Sequence, residues 1–262
     1  MNLLTVQQKH SLDPGDTREQ VLSRRAFLEA GYYAPIAEAL IAVSKALTVN
    51  SNEIRPSGEL LDVGCGEGYY SARLAEALGM HLTGMDISRE AVRCAAGKYK
   101  NGLWLCATAS HIPVADHSCD LLTSLFALTV PEEFKRVLRP EGYFLQVLAA
   151  EDHLLGLKSI IYDHLIEKPK DTVPDVPGFT LVRSVPIRFT FTVEGEQVEN
   201  LLSITRIGDG TARINKEDEL VEDVISGAIT KFRKRFPDIE VIPKVPEDVL
   251  FVPMDAILIE QV

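Results

Sequence analysis

Polar, turn-forming residues fill the stretch HSLDPGDTREQ at 10–20, and a hydrophobic period begins only behind it. Thr17 followed by Gln20 has the spacing of a capping box, and Val21, Ala26, Phe27 and Leu28 continue a helix that Gly31 closes. Pro35 suits a first helical position, and Ile36, Leu40, Val43 and Leu47 repeat at helical spacing up to a loop over 50–58. From Glu59 the pattern changes to strand, turn and helix in succession: ELLDV, GCGEG and YYSARLAEALG, then HLTGMD and REAVRCAAGKY. LWLCAT, the loop ASHIPVADHS, the strand CDLLTSLFAL, the helix PEEFKRVL, a turn over 139–142 and the strand YFLQVLA follow. Alternating strands and helices of these lengths predict an α/β fold, a doubly wound, Rossmann-like and mostly parallel sheet with helices on both faces.

Beyond Ala150 the pattern predicts a helix in DHLLGLKSIIYDHL, a proline-rich connection over 168–178, strands in FTLVRSV and IRFTFTV, and a helix in EGEQVENLLSI. A further helix, KEDELVEDVISGAITKFRKRF, and a terminal strand in DVLFVPMDAILIEQV complete the chain. The organisation expected is an N-terminal helical lid over 1–50 and a main domain over 51–262, whose additional strands and helices start near 165.

At 262 residues, 46% of them hydrophobic and 25% charged, the chain can bury one large core. No apolar run approaches the roughly 20 residues of a membrane helix, and MNLLTVQQKH lacks the pattern of a secretion signal, so the expected setting is the cytoplasm, without a membrane partner. Cys65, Cys94, Cys106 and Cys119 form no C-x-x-C pair and have no histidine at ligand spacing, so no metal site is expected. A formal charge of -11 argues against broad contact with phosphate backbones, leaving Arg24-Arg25 and the cluster at 231–235 as the local basic patches.

The candidate chemistry starts at Asp62-Val-Gly64-Cys65-Gly66-Glu-Gly68, which ends a strand and opens a helix. Alternating glycines let the backbone bend and approach a ligand closely. A dinucleotide fingerprint would need glycine where Tyr69 stands, and a phosphate loop would need a terminal G-K-[ST], which is absent. The pattern D-x-G-x-G-x-G resembles motif I of the class I S-adenosylmethionine-dependent methyltransferases. The resemblance implies S-adenosylmethionine as cofactor, contacted by Asp62, Gly64, Cys65, Gly66, Gly68 and Tyr69, and S-adenosylhomocysteine as product. Asp86, ending the next strand before Ile87, is then the carboxylate for the ribose hydroxyls, and Ala107, Thr108 and Ala109 line the adenine. Where that group usually has an acid near the third strand, this chain has Thr108. A plain reading also exists, in which the glycines only let a helix pack on a sheet and Asp86 caps a helix.

Within that group the segments NLLTVQQKHSLDPGDT, RRAFLEAGYYAPI, LLDVGCGEGYYS, GMDIS, EEFKRVLRPEGY and HLLGLKSIIY are similar to the bacterial large-subunit ribosomal RNA guanine-N1 methyltransferases, from Asn2 to about Tyr162. In that family a zinc module precedes the polar segment, and this chain begins at what would be its edge. The resemblance makes 10–16 the link into the active site, with Leu12 to Thr17 and the Tyr32-Tyr33 corner closing over the acceptor. The chain departs from the family at Ala127-Leu128, at Ala149-Ala150-Glu151 and around Ile204-Thr205-Arg206, all on the acceptor side.

The acceptor reading uses Tyr32, Tyr33, Tyr69 and Tyr70 as aromatic faces for a flat heterocycle, and Phe126 after the fourth strand as a neighbour of the methyl group on both the cofactor and the acceptor side. Asp13, Asp16, His10 and His153 are candidates to orient or deprotonate a ring nitrogen, although Asp13-Pro14-Gly15 is also a turn signature. Two acceptors stand at this point: a guanine of ribosomal RNA, and a small planar metabolite favoured by the acidic charge and the altered acceptor motifs. A cofactor-binding protein without transfer activity is the rival outside enzymes. A homodimer is compatible with the sequence.

Overall fold

Alternation along the strands divides the core into two. The computed structural model describes residues 1–4, 14–51, 57–150, 153–154, 174–193, 196–205 and 250–261. Its elements are α1 (Arg18–Glu29), α2 (Ala34–Ser51), β1 (Glu59–Val63), α3 (Tyr69–Leu78), β2 (His81–Asp86), α4 (Arg89–Lys98), β3 (Gly102–Cys106) and β4 (Cys119–Leu125), then α5 (Pro131–Val137), β5 (Leu138–Ala149), β6 (Phe179–Phe191), α6 (Glu196–Thr205) and β7 (Leu250–Gln261). Leu60, Leu82, Trp104, Leu121 and Leu145 point to a face covered by α1, α2, α3, α4 and α6. Leu61, Met85, Leu105, Leu122 and Phe144 point to the other, where Phe134 and Val137 of α5 meet them.

The strands form one sheet in the order β3-β2-β1-β4-β5-β7-β6. β1 to β5 are parallel, while β7 lies antiparallel between β5 and β6. The doubly wound expectation therefore holds, and chain direction across the sheet reverses between β1 and β4, where a crevice opens beyond the strand ends. At the β3 edge, residues 1–4 add a short parallel pairing: the Leu3 N–H donates to the Cys106 carbonyl at 2.8 Å, and the Cys106 N–H to Met1 at 2.7 Å.

Local signals explain the N-terminal helices. Thr17 and Gln20 form the reciprocal capping box, and Gly31, at φ +88°, follows the end of α1. These helices contribute Phe27, Ile36 and Leu40 to the same buried cluster as the sheet, so residues 14–46 are built into the main core. One expectation changes: FTLVRSV and IRFTFTV are a single strand, β6, running through Pro186. β6 pairs only with β7 among the described strands, and such an edge position is where a sheet tolerates proline. The turn expected over 139–142 survives as an irregularity inside β5, with Glu141 at φ +66° and a register shift between Cys119 and Leu121. The helices expected after His153-Leu154 and over 216–236 lie outside the described residues. Among the described residues no single helix is long and apolar enough to cross a membrane.

Candidate functional site

The loop between β1 and α3 folds as its glycines require, for different reasons at each position. Gly64, Gly66 and Gly68 have φ of +82°, +55° and +80°. A Cβ on Gly64 would stand 2.4 Å from Ala127 Cβ, and one on Gly68 would stand 2.5 Å from the Trp104 ring. These two glycines serve close packing: the first seats the loop after β4, the second lets α3 lie on Trp104. Gly66 alone faces the crevice, where the nearest atom to a Cβ is Arg24 Nη1 at 3.4 Å.

Asp86, at the end of β2, accepts from the Gly66 N–H at 2.9 Å and the Ser88 N–H at 2.7 Å, one on each carboxylate oxygen. Each oxygen keeps a second acceptor position, which fits a pair of ribose hydroxyls. Burial raises its pKa against the pull of those two N–H groups. Ile87 and Ala107 stand beside it; the Ala107 N–H donates to the Asp86 carbonyl at 3.0 Å, fixing the β3 turn. Thr108 spends its hydroxyl on Ser110, and Ala109 packs against the buried cluster around Leu105 and Ile112. Together these form a small, largely apolar wall suited to a purine.

Asp62 does something other than the ligand contact expected of it. Ser71 donates to one carboxylate oxygen and Thr123 to the other at 2.6 Å, and the residue is 2% exposed. It braces β1 to α3 and β4. Burial, only partly offset by these two hydroxyls, pushes its pKa up to about 6. The Cys65 side chain likewise turns into the core, its thiol 3.6 Å from the Gly66 carbonyl, and the Tyr69 ring is covered by the Arg73 guanidinium at 3.7 Å. Side chains of Asp62, Cys65 and Tyr69 thus support the loop, leaving backbone as their contribution to the crevice.

On the acceptor side the structure separates the candidates. Phe126 follows β4 at φ +58°, 44% exposed, with its ring centroid 6.3 Å from that of Tyr70. Tyr33 is buried edge-on against Phe27, Phe189 and Phe191, and Tyr32 stacks on Phe27 at 4.7 Å. Tyr33 is therefore core and Tyr32 packs half-buried against it, an arrangement that does not match the lid expected of this corner. Asp16 is ion-paired with Arg24, and its carbonyl accepts from Ser88 Oγ at 2.7 Å, which fastens residues 14–17 over the end of β2. His153 lies on the turn after β5, its N–H bonded to the Ala150 carbonyl at 3.1 Å. His10, Leu12 and Asp13 lie outside the described residues.

Sequence reasoning missed Arg24. It looked like half of a surface basic pair, but its guanidinium faces inward between Asp16 and Glu67, the latter at 3.6 Å. Arg25 pairs with Glu29 at 2.6 Å, so neither arginine is an open phosphate contact. The alignment of Arg24 three residues before Phe27, on the helix face that enters the core, was the available signal.

Comparison with known proteins agrees with this layout. Residues 61–146 match the family described as methyltransferase domain. A Micromonospora griseorubida protein assigned as a 23S rRNA (guanine-N(1)-)-methyltransferase is 35% identical over 169 residues, covering 60% of this chain and 56% of that protein. The 23S rRNA (guanine(748)-N(1))-methyltransferase of Streptomyces fradiae is 32% identical over 152 residues, covering 54% of this chain and 50% of its own. The demethylmenaquinone methyltransferase of Chlorobaculum tepidum is 28% identical over 148 residues, 53% of this chain and 58% of that one. The chain thus spans little more than half the length of these relatives.

Proposed function

We propose, from the premise that residues 61–146 are a methyltransferase domain of the S-adenosylmethionine-dependent type, that the protein transfers a methyl group to a ring nitrogen of a planar heterocycle. The observation that carries this reading is Asp86: a half-buried carboxylate at the end of β2, both oxygens held by backbone N–H groups, beside Gly66, where an added Cβ would meet only the Arg24 side chain. Asp86 would hold the ribose hydroxyls, Ile87, Ala107 and Ala109 the adenine, and the backbone around Gly66 the remainder. S-adenosylmethionine, when bound, supplies a methyl group already activated on a sulfonium centre, so the chain has mainly to orient an acceptor and exclude water. Phe126, beside Tyr70 at the mouth of the crevice, offers the exposed aromatic surface against which a flat acceptor would lie.

For the acceptor, guanine N1 of large-subunit ribosomal RNA is the reading supported by the relatives from Micromonospora griseorubida and Streptomyces fradiae. A small planar metabolite is the second reading, favoured by the charge of -11 and by the engagement of Arg24 and Arg25 with carboxylates. RNA held through phosphates should lose affinity with salt, by about one order in slope per phosphate contacted.

Two measurements test the function. Calorimetry with S-adenosylhomocysteine should show Asp86→Ala binding roughly 10- to 100-fold more weakly than the parent, the loss of about 1.5 to 3 kcal/mol expected for hydrogen bonds to a charged group. Unchanged affinity would remove Asp86 from the site. A transfer assay on unmodified ribosomal RNA beside a panel of small nitrogen heterocycles decides the acceptor: a single methylated guanine in the RNA sinks the metabolite reading, and transfer confined to small compounds sinks the RNA reading.

A further inference from the structure

A cleft of about 560 Å³ opens where the start of α1 meets the start of α4, with residues 14–17 and Ser88 in its lining. Its wall is fixed by close packing. Ser88 Oγ donates to the Asp16 carbonyl at 2.7 Å, and a Cβ added to Gly15 would come within 2.9 Å of the Ile87 and Ser88 side chains. Gly66, Asp86, Ala107 and Phe126 take no part in the lining, so the cleft is distinct from the crevice described above.

Three guanidiniums line it: Arg18 from α1, and Arg89 and Arg93 from α4. Two carboxylates stand against them, Asp16 and Glu90, and Asp16 is already ion-paired with Arg24. Glu90 lies 3.8 Å from Arg89 Nε and 3.2 Å from Arg93 Nη1, which holds those two guanidiniums side by side. Arg18 forms no ion pair among the described residues. One carboxylate does not balance three cations, and the excess stands out in a chain whose net charge is -11. No run of basic residues announces this patch, because two helices distant in sequence each bring part of it.

The complement of such a patch is a compact anion with several oxygens. A guanidinium offers planar pairs of N–H donors that match the oxygens of a phosphate, and a phosphate has enough oxygens to serve more than one guanidinium at once. The starts of α1 and α4 add partial positive charge of the same sign. The volume exceeds that of a phosphate alone and leaves room for the group that carries it. We propose that Arg18, Arg89 and Arg93 bind a phosphate group in this cleft, carried either by an RNA strand as a phosphodiester or by a small molecule as a phosphomonoester. The site stands apart from the cofactor reading and does not depend on methyl transfer.

The test is calorimetry at constant ionic strength with three probes: inorganic phosphate, uridine monophosphate, and a short oligouridylate that carries internal phosphodiesters only. The parent should bind at least one of them saturably. Arg18→Gln and Arg93→Gln should each weaken that probe about 10-fold, as expected for loss of hydrogen bonds between charged groups. Arg183→Gln removes the same charge from β6, outside the cleft, and should leave affinity within about 2-fold. Binding of the oligouridylate assigns the phosphate to an RNA strand, and binding of uridine monophosphate without the oligouridylate assigns it to a small phosphomonoester. A parent that binds none of the three probes overturns the proposal. So does a loss in Arg183→Gln equal to that in the two cleft variants, because the attraction would then come from overall charge.

Discussion

Alanine at position 64 is expected to lower the thermal midpoint by roughly 10 °C, taking about 2 to 4 °C for each kcal/mol in a domain of this size. The added methyl would meet Ala127 Cβ at 2.4 Å, where neither partner has a rotamer to escape into. Overpacking of this kind costs about 1 to 3 kcal/mol, and holding an alanine at φ +82° adds about 1 to 2. Gly66→Ala makes the contrast. Its methyl meets only the end of a flexible arginine, so it should lose just a few degrees, from the strain at φ +55°, while binding of S-adenosylhomocysteine falls by about 10-fold or more as the crevice fills. Scanning fluorimetry and calorimetry on the pair separate the two roles. A Gly64→Ala protein that melts with the parent would show that the loop after β4 yields freely, and the account of that glycine would be wrong.

The second large effect concerns Asp62 and pH. Its carboxyl moves from an ordinary 3.8 to about 6 on folding, because burial outweighs the hydroxyls of Ser71 and Thr123. Between those values the folded protein keeps a proton that the unfolded chain releases. The stability Asp62 contributes is therefore greatest below about pH 4 and is lost as pH rises through 6, by about 3 kcal/mol in all. Glu67, raised by burial from 4.5 to about 6 against the opposing charge of Arg24, acts in the same direction. Asp62→Asn keeps an acceptor and a donor for the two hydroxyls without the charge. Its unfolding free energy relative to the parent should rise by about 3 kcal/mol from pH 4 to pH 8 in urea titrations. Asp62→Ala leaves both hydroxyls buried without a partner and should cost about 2 to 5 kcal/mol. An Asn variant that tracked the parent at every pH would mean that the buried carboxylate carries no such penalty.

Most of the scaffold was legible because its signals are local. Thr17 and Gln20 announce the start of α1 by spacing alone, and the run from ELLDV through GCGEG into YYSARLAEALG carries its strand, turn and helix within a few residues. Asp86 could be placed because motif spacing puts it at the end of the strand beside the loop. What escaped depends on contacts between distant segments. Nothing near 250–261 says that β7 inserts between β5 and β6, since that pairing is set across the fold. Asp62 reads as a ligand contact until Thr123, 61 residues away, is seen on its other oxygen. Arg24 beside Arg25 reads as surface charge until the helix is turned and one of the pair points at Glu67. Tyr33 reads as an exposed stacking face because its phenylalanine neighbours arrive from β6.

Pro186 has a consequence for how copies of this protein can associate. A sheet with a bare outer strand invites another chain to continue it, a route to both dimers and fibrils. On β6 the run of backbone donors is interrupted by Pro186 and flanked by the cations of Arg183 and Arg188, while at the far side residues 1–4 already pair along β3. Among the described residues both flanks of the sheet thus discourage strand-by-strand growth, which directs self-association toward faces other than these two edges.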